Sequence, residues 1–551
     1  MSHQELADLA DAYYGWTLRV EPISASLRGV HDYDGEFGDF SRDAEDRRIA
    51  ELRDFASLAA AVNPVELDAQ DRITRDVLIF ETENAADVAE TRMAELAVNH
   101  TIGFQAMLPV AVPQLPIETA EHGDAFIERF SKSQQAFAEI NARLEEGVAA
   151  GRTPMASTAR KTVAQIDAML ATPVAEDAFM NTRVPTGVDE SEWKERVGDV
   201  VRDHVRPALL SYRDTIGDSV VPAGCSDDQP GLCHLPDGEA SYSRHVKQHT
   251  SLALDPEDIH HVGLRQIDML AEEYRTLGQE VLGTSDLTEI FAALREDPAL
   301  HFEAGAEVVA ASEAAMAKAK AVMGDWFGRL PQADCVVAET PMGPTAFYFP
   351  PAADGTRPGT FFVNTADPTR WGRFEIEAMA YHEGIPGHHL QLAIAQELED
   401  VPEFRKHALV TVYAEGWGLY TERLADEMGL YSGPLERIGM LSADSVRAGR
   451  LVVDTGIHAK GWTRQQAIDY FLANSPMSQT SVEDEVDRYI GMPGQALSYM
   501  IGRLEINRMR EEAEAAMGDR FDIKGFHDTV LSSGLVPMET LDRMVQEWAA
   551  A

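Results

Sequence analysis

Apolar residues recur every three or four positions along most of this chain, the spacing that buries one face of a helix. Leu6, Leu9, Tyr13 and Trp16 predict a helix over residues 3–20, with Ser2 and Glu5 forming a capping-box pattern at its start. Residues 22–34 follow as a turn-rich polar stretch, and helical spacing returns through 44–95. Phe137, Ile140, Leu144 and Val148 mark a helix that Gly151 ends, where a left-handed residue is favoured. Trp193, Val197, Val201, Val205, Leu209 and Tyr212 mark a long one after it. Asp255 caps the next and Pro256 opens it, ahead of the stripe Ile259, Val262, Ile267, Leu270, Tyr274 and Leu277. Further helices are predicted at 286–296, at 303–329, and from about 372 to the end.

Strand signals occur in one place. Residues 345–349 and 360–364 are short aromatic and β-branched runs separated by Pro350-Pro351 and Asp354-Gly355, and they predict a hairpin or two edge strands. Residues 217–240, rich in Pro, Gly and Asp, are the candidate for an internal boundary or a long loop. The pattern predicts a mainly α fold: one large helical domain over 1–551, with a small β element ahead of residues 381–391.

Composition narrows the function classes. The 44% hydrophobic and 25% charged content is that of a soluble globular protein. With 92 acidic against 47 basic residues, the net charge of -45 repels nucleic acid and anionic membranes, so neither is expected as a partner. The first residues carry no basic and apolar leader, and no run of about 18 apolar residues occurs. Three cysteines make no disulfide framework; Cys225 and Cys233 can pair, leaving Cys335, but reduced thiols in a cytoplasmic protein are the expectation.

The chemistry concentrates in Tyr381-His382-Glu383-Gly384-Ile385-Pro386-Gly387-His388-His389-Leu390-Gln391, where three histidines and a glutamate fall within eight residues. A His-Glu pair followed by another His is the pattern of a metalloprotease helix, in which two imidazoles hold zinc and the glutamate is general base. The usual second His comes four positions on; here that position is Pro386, and the next histidines come six and seven residues after the first. This is either a metal site on a broken helix or an accident of composition. Proline inside a helix costs roughly 3 kcal/mol, and such a break is what would re-aim a second histidine toward the first. A third ligand is needed. Glu415 and Glu422, seven apart, share a helix face with Gly418 and Leu419, so Glu415 needs a partner: a metal, or an arginine such as Arg423 or Arg450. No Gly-x-Ser-x-Gly, phosphate loop or dinucleotide fingerprint occurs.

The 381–391 stretch resembles the signature of the DUF885 family of bacterial proteins, most of which have no assigned reaction and which are grouped with gluzincin metallopeptidases. The resemblance covers most of the chain. It extends to Pro22 through Asp34, to Leu235-Pro236-Asp237-Gly238-Glu239-Ala240 with His249-Thr250, to Val453-Asp454-Thr455-Gly456-Ile457-His458, and to Pro493-Gly494-Gln495-Ala496-Leu497-Ser498-Tyr499. More distantly, Tyr413-Ala414-Glu415-Gly416-Trp417 through Glu422 is similar to the third-ligand helix of thimet-oligopeptidase-like enzymes, helical clefts with a short sheet edge.

The resemblance implies one Zn2+ per chain on His382, Glu415 and either His388 or His389, of which His388 needs the smaller bulge. It implies Glu383 as general base, Tyr499 and His458 as donors to the oxyanion, and Glu422 orienting a ligand. Arg450, Arg488 and Arg503 are candidate clamps for a substrate carboxylate, Tyr489 lies near the site on the family pattern, and the strand ending at Asn364 would hold an extended peptide along an edge. The expected function is a zinc-dependent hydrolase of amide bonds acting on short peptides. The alternatives are a non-catalytic metal- or peptide-binding protein and a hydrolase of a non-peptide amide.

Overall fold

Capping chemistry sets where the helices begin in the computed structural model, which describes residues 3–341, 344–351, 357–399 and 401–551. The 44–95 stretch is two helices, Arg42–Ala60 and Ala69–Ala89, because Ser41 and Asp68 each accept a backbone N–H of the following turn. Asp255 receives the Glu257 N–H ahead of Pro256–Val281, and Asp286 those of Thr288 and Glu289 ahead of Leu287–Glu296. Gly151 is left-handed (φ 70°) beyond Ser133–Ala149. Part of the stretch expected as turns is the short helix Pro22–Leu27, opened by its proline. The Ser2 cap and the Asp354-Gly355 turn lie outside the described residues.

The fold is mainly α with a small sheet of three strands: β1 (Cys335–Thr340), β2 (Ala346–Phe349) and β3 (Gly359–Asn364), in the order β1-β3-β2. β3 pairs in parallel with β1 along its whole length and antiparallel with β2 from Thr360 to Val363. The sequence pattern misses β1 because Ala338 and Glu339 dilute its two valines. Its presence corrects the expectation for residues 361–364. They lie in the middle strand, both edges of which are already paired, so they cannot take a peptide by main-chain hydrogen bonds. Asn364 is bound up likewise: its N–H donates to Thr345 O (2.9 Å) and its carbonyl accepts the Trp371 indole N–H (2.8 Å).

Buried side chains form two large cores. One is aromatic, with Phe126, Phe130, Phe137, Trp193 and Tyr212. The other joins the N-terminal helices to the C-terminal half through Tyr13, Tyr413, Trp417, Leu451 and Met500. Going along the chain, the first core's last buried member is Val220 and the second resumes at Leu232.

Six helices of the C-terminal half frame the histidines: α1 (Ile376–Glu383), α2 (His388–Gln396), α3 (Thr411–Glu427), α4 (Pro434–His458), α5 (Gln479–Gly491) and α6 (Ser498–Met517). α3 and α6 meet at backbone contact. A Cβ on Gly416 would lie 2.5 Å from the Gly502 backbone, and one on Gly502 would lie 2.0 Å from Val412 O. That approach brings the helix carrying Glu415 against the one carrying Tyr499. Gly502→Ala is therefore expected to cost about 1–3 kcal/mol by overpacking, read as a lower urea midpoint. An unchanged midpoint would show that the two helices can separate freely.

Candidate functional site

α1 ends at Glu383 and α2 begins at His388, so the helix is broken over 384–387, with a cis peptide between Ile385 and Pro386. Backbone groups released by a break need partners. α3 supplies them. Thr421 Oγ1 donates to Tyr381 O (3.1 Å) and the Trp417 indole N–H to Pro386 O (3.0 Å). Gly387 fits because a Cβ there would lie 1.9 Å from His382 O.

The corner folds His388 back onto His382, with ring centroids 4.7 Å apart. His382 Nε2 and His388 Nε2 lie 3.6 and 3.5 Å from the same oxygen, Glu415 Oε2. One donor atom from each of the three residues lies within 4.8 Å of the other two. Ligands about 2.1 Å from a tetrahedral zinc stand about 3.4 Å from one another, so this spacing and the N2O donor set fit that ion. The competing explanation for Glu415, an arginine partner, fails: Arg423 pairs with Asp444 (2.6 Å) and Glu273 (2.8 Å), and Arg450 with Glu485 (2.9 Å).

Behind the three donors, His382 Nδ1 donates to Glu422 Oε1 (2.8 Å), a carboxylate only 1% exposed. That bond turns Nε2 toward Glu415 and fixes the ring. Gly418 leaves room for it, since a Cβ there would lie 2.7 Å from His382 Cε1. Burial alone would lower the His382 pKa. Hydrogen bonds with Glu415 and Glu422, with the charges of Glu422 and Glu383, outweigh it and raise the imidazole to about 9. Glu415, also pushed up by burial, is held well below the carboxylate range by hydrogen bonds with the two histidines.

His389 faces the other way. Its Nδ1 accepts the Tyr348 O–H of β2 (2.9 Å) and its Nε2 donates to Ala333 O (3.0 Å). Burial pushes it down to about 4, so it is neutral with both nitrogens engaged. Of the two histidines, His388 is the one gathered with His382 and Glu415. Glu383 is buried and makes no hydrogen bond to a described residue. Tyr499, in the first turn of α6, lies nearly parallel to the His382 ring (centroids 6.3 Å, 22°), with the Arg450 guanidinium 4.4 Å over its own ring. Burial and the Glu415 charge raise the phenol pKa, so it stays a donor at neutral pH.

Four expected participants are committed elsewhere. His458 is fully buried; its Nδ1 accepts the Leu232 N–H (3.2 Å), its Nε2 donates to Tyr489 O (3.1 Å), and burial pushes it down to about 4. It is a scaffold residue and not an oxyanion donor. In the same motif, Asp454 accepts the Tyr242 O–H (2.6 Å) and the Gly494 N–H (3.1 Å), tying the turn before α6 to the rest of the core. Arg503 is buried against Asp444 and Met500, which removes it as a clamp. Arg488 donates to Glu485 (3.0 Å) and Gln495 (2.7 Å), and the Tyr489 hydroxyl is enclosed between Arg450 and Glu485. Arg450 joins that network through two of its nitrogens and reaches the site as the group stacked on Tyr499.

Sequence reasoning missed Arg447, whose guanidinium carbon lies 5.7 Å from the Tyr499 ring. Its spacing of three from Arg450 on one helix face was the available signal. A second trio, His31, Asp34 and His122, also brings donor atoms together. There one nitrogen of each ring is engaged: His31 Nδ1 bonds Asp34 (2.7 Å), and His122 Nδ1 accepts the Glu118 N–H (3.3 Å) while its ring stacks on His31.

Two substitutions separate the roles. Glu422→Gln is expected to weaken zinc binding about 10–100-fold by releasing His382, whereas His389→Ala leaves it unchanged; competition against a chromogenic chelator measures both. Equal losses would show that the His388 corner is not the binding arrangement.

Among solved structures, the chain is similar to "the putative lipoprotein from Colwellia psychrerythraea" at 27% identity and a TM-score of 0.93, with 100% of both chains covered. It also matches "a putative lipoprotein of unknown function from Shewanella oneidensis" at 18% identity and a TM-score of 0.74, over 98% of this chain and 99% of that one, a likeness of fold alone. The first of these descriptions overturns the cytoplasmic expectation, which rested on the first residues and the cysteine count. No described helix is long and apolar enough to cross a membrane. No curated protein matches. The profile described as "Bacterial protein of unknown function (DUF885)" matches residues 22–545, and the chain belongs to that family.

Proposed function

We propose that this protein is a zinc-dependent hydrolase of amide bonds that acts on short peptides. The observation that carries this reading is the Glu383 carboxylate. Its residue is only 9% exposed beside His382, yet the carboxylate makes no hydrogen bond to a described residue and its oxygens are not sealed from solvent, while Glu415 and Glu422 both have partners. A carboxylate free of protein partners yet open to solvent can reach a water molecule. Holding an ion does not require such a carboxylate; moving a proton does.

His382, His388 and Glu415 would hold the ion. When bound, zinc supplies positive charge that polarises the scissile carbonyl and acidifies water. Glu383 accepts the water's proton as the water oxygen bonds to the carbonyl carbon. It then delivers that proton to the amine nitrogen as the C–N bond breaks, leaving a carboxylate and an amine. Tyr499 donates its phenolic hydrogen bond to the carbonyl oxygen as negative charge builds there. Glu422 keeps the His382 ring in place, and Arg450 packed on the Tyr499 ring keeps the phenol aimed.

Protein purified without chelator is expected to carry about one zinc per chain and to cleave short peptides, with cleavage lost on chelation and restored by zinc. Glu383→Gln should keep the metal and lose about 10²–10⁴-fold in kcat. A chain free of transition metal whose activity ignores chelator, or full turnover by the Gln variant, would overturn the reading.

A further inference from the structure

Every arginine on α3 to α6 except one reaches a carboxylate oxygen at 3.0 Å or less. The exception is Arg447. Its Nη2 lies 3.9 Å from Glu422 Oε1, its Nη1 makes only a 3.5 Å contact with Ala443 O, and its Nε is buried with no partner. In a chain with 92 acidic and 47 basic residues, a guanidinium left this poorly matched is out of keeping with its neighbours. Leaving charged donors unsatisfied costs stability, and the position is not remote. Arg447 stands 5.7 Å from the Tyr499 ring, and Glu422, the carboxylate it approaches, is the one that orients His382. The side chain remains 11% exposed, so an incoming group can reach it.

A planar guanidinium with free donors binds a carboxylate through two parallel hydrogen bonds. We propose that Arg447 receives the C-terminal carboxylate of the substrate, which makes the site one that trims free C-termini; this rests on the peptidase reading above. The separations fit short trimming. Tyr499 is 6.3 Å from His382 and 5.7 Å from Arg447, each the reach of one to two extended residues at about 3.5 Å apiece. One or two residues would therefore lie between the scissile carbonyl and the clamp. The competing role for Arg447 is to offset the charge of Glu422, acting only through His382.

The test uses the zinc-loaded full chain and matched peptides of four to six residues, each as free acid and as C-terminal amide. Wild type is expected to cleave the acids at least about tenfold more efficiently and to release one or two C-terminal residues, identified by mass spectrometry. Arg447→Gln should raise KM for the acids about 10–100-fold with little change in kcat, and leave the amides unaffected. Arg447→Lys, which keeps charge without the fork, should recover part of the loss. Equal cleavage of acid and amide by wild type, or an equal loss on both in Arg447→Gln, overturns the clamp and leaves the peptidase reading standing. Failure to cleave any peptide overturns the peptidase reading instead. Calorimetric titration of the same peptides into Glu383→Gln then decides the clamp without turnover: preferential binding of the acid that Arg447→Gln abolishes supports it, and equal binding of acid and amide rejects it.

Discussion

The site depends on a single backbone requirement: the carbonyls freed where the helix breaks after Glu383 must find donors. Thr421 and Trp417, both on α3, provide them. Once α3 is fixed by those two bonds, Glu415 and Glu422 are fixed with it, one facing the histidine pair and the other behind His382. The mended break and the candidate ligand set are thus one construction. Glycines at 387 and 418 permit it, because any side chain at either position would strike His382.

Around that construction the acidity of the chain is managed by arginine. Burial would push the Glu485 carboxyl up, yet the charges of Arg488 and Arg450 hold it well below the usual range, and the assembly packs Arg450 over Tyr499. Asp444 is shared by Arg423 and Arg503. These pairs are buried, so their value lies less in net stability than in fixing where each charge sits. Arg447 differs from them because its surroundings leave it a choice of partner.

Much of this was legible in the sequence. Helical spacing, the cap at Asp255 and the terminal Gly151 are local signals, and local chemistry decided them. That His382 and Glu415 would meet was legible because their chemistry is concentrated in two short motifs. The choice between His388 and His389 was not, since adjacent residues differ in direction only through the path of 384–387. His458 was misread for a related reason. A histidine held by two backbone groups has the same letter as one that donates to a substrate, and only its burial distinguishes them. β1 escaped notice because its pairing with β3 is a long-range fact, and that pairing removed the peptide-edge role from 361–364.

The glycine contact between α3 and α6 has a consequence in time. The side chains gathered at the site come from residues 382 to 499, and α6 occupies 498–517 of a 551-residue chain. A chain emerging from the ribosome presents both histidines and Glu415 well before it presents Tyr499. Until α6 has been made and has closed against Gly416, the constellation is incomplete. The order of synthesis thus lets the histidines and Glu415 meet Tyr499 only after α6 has been made.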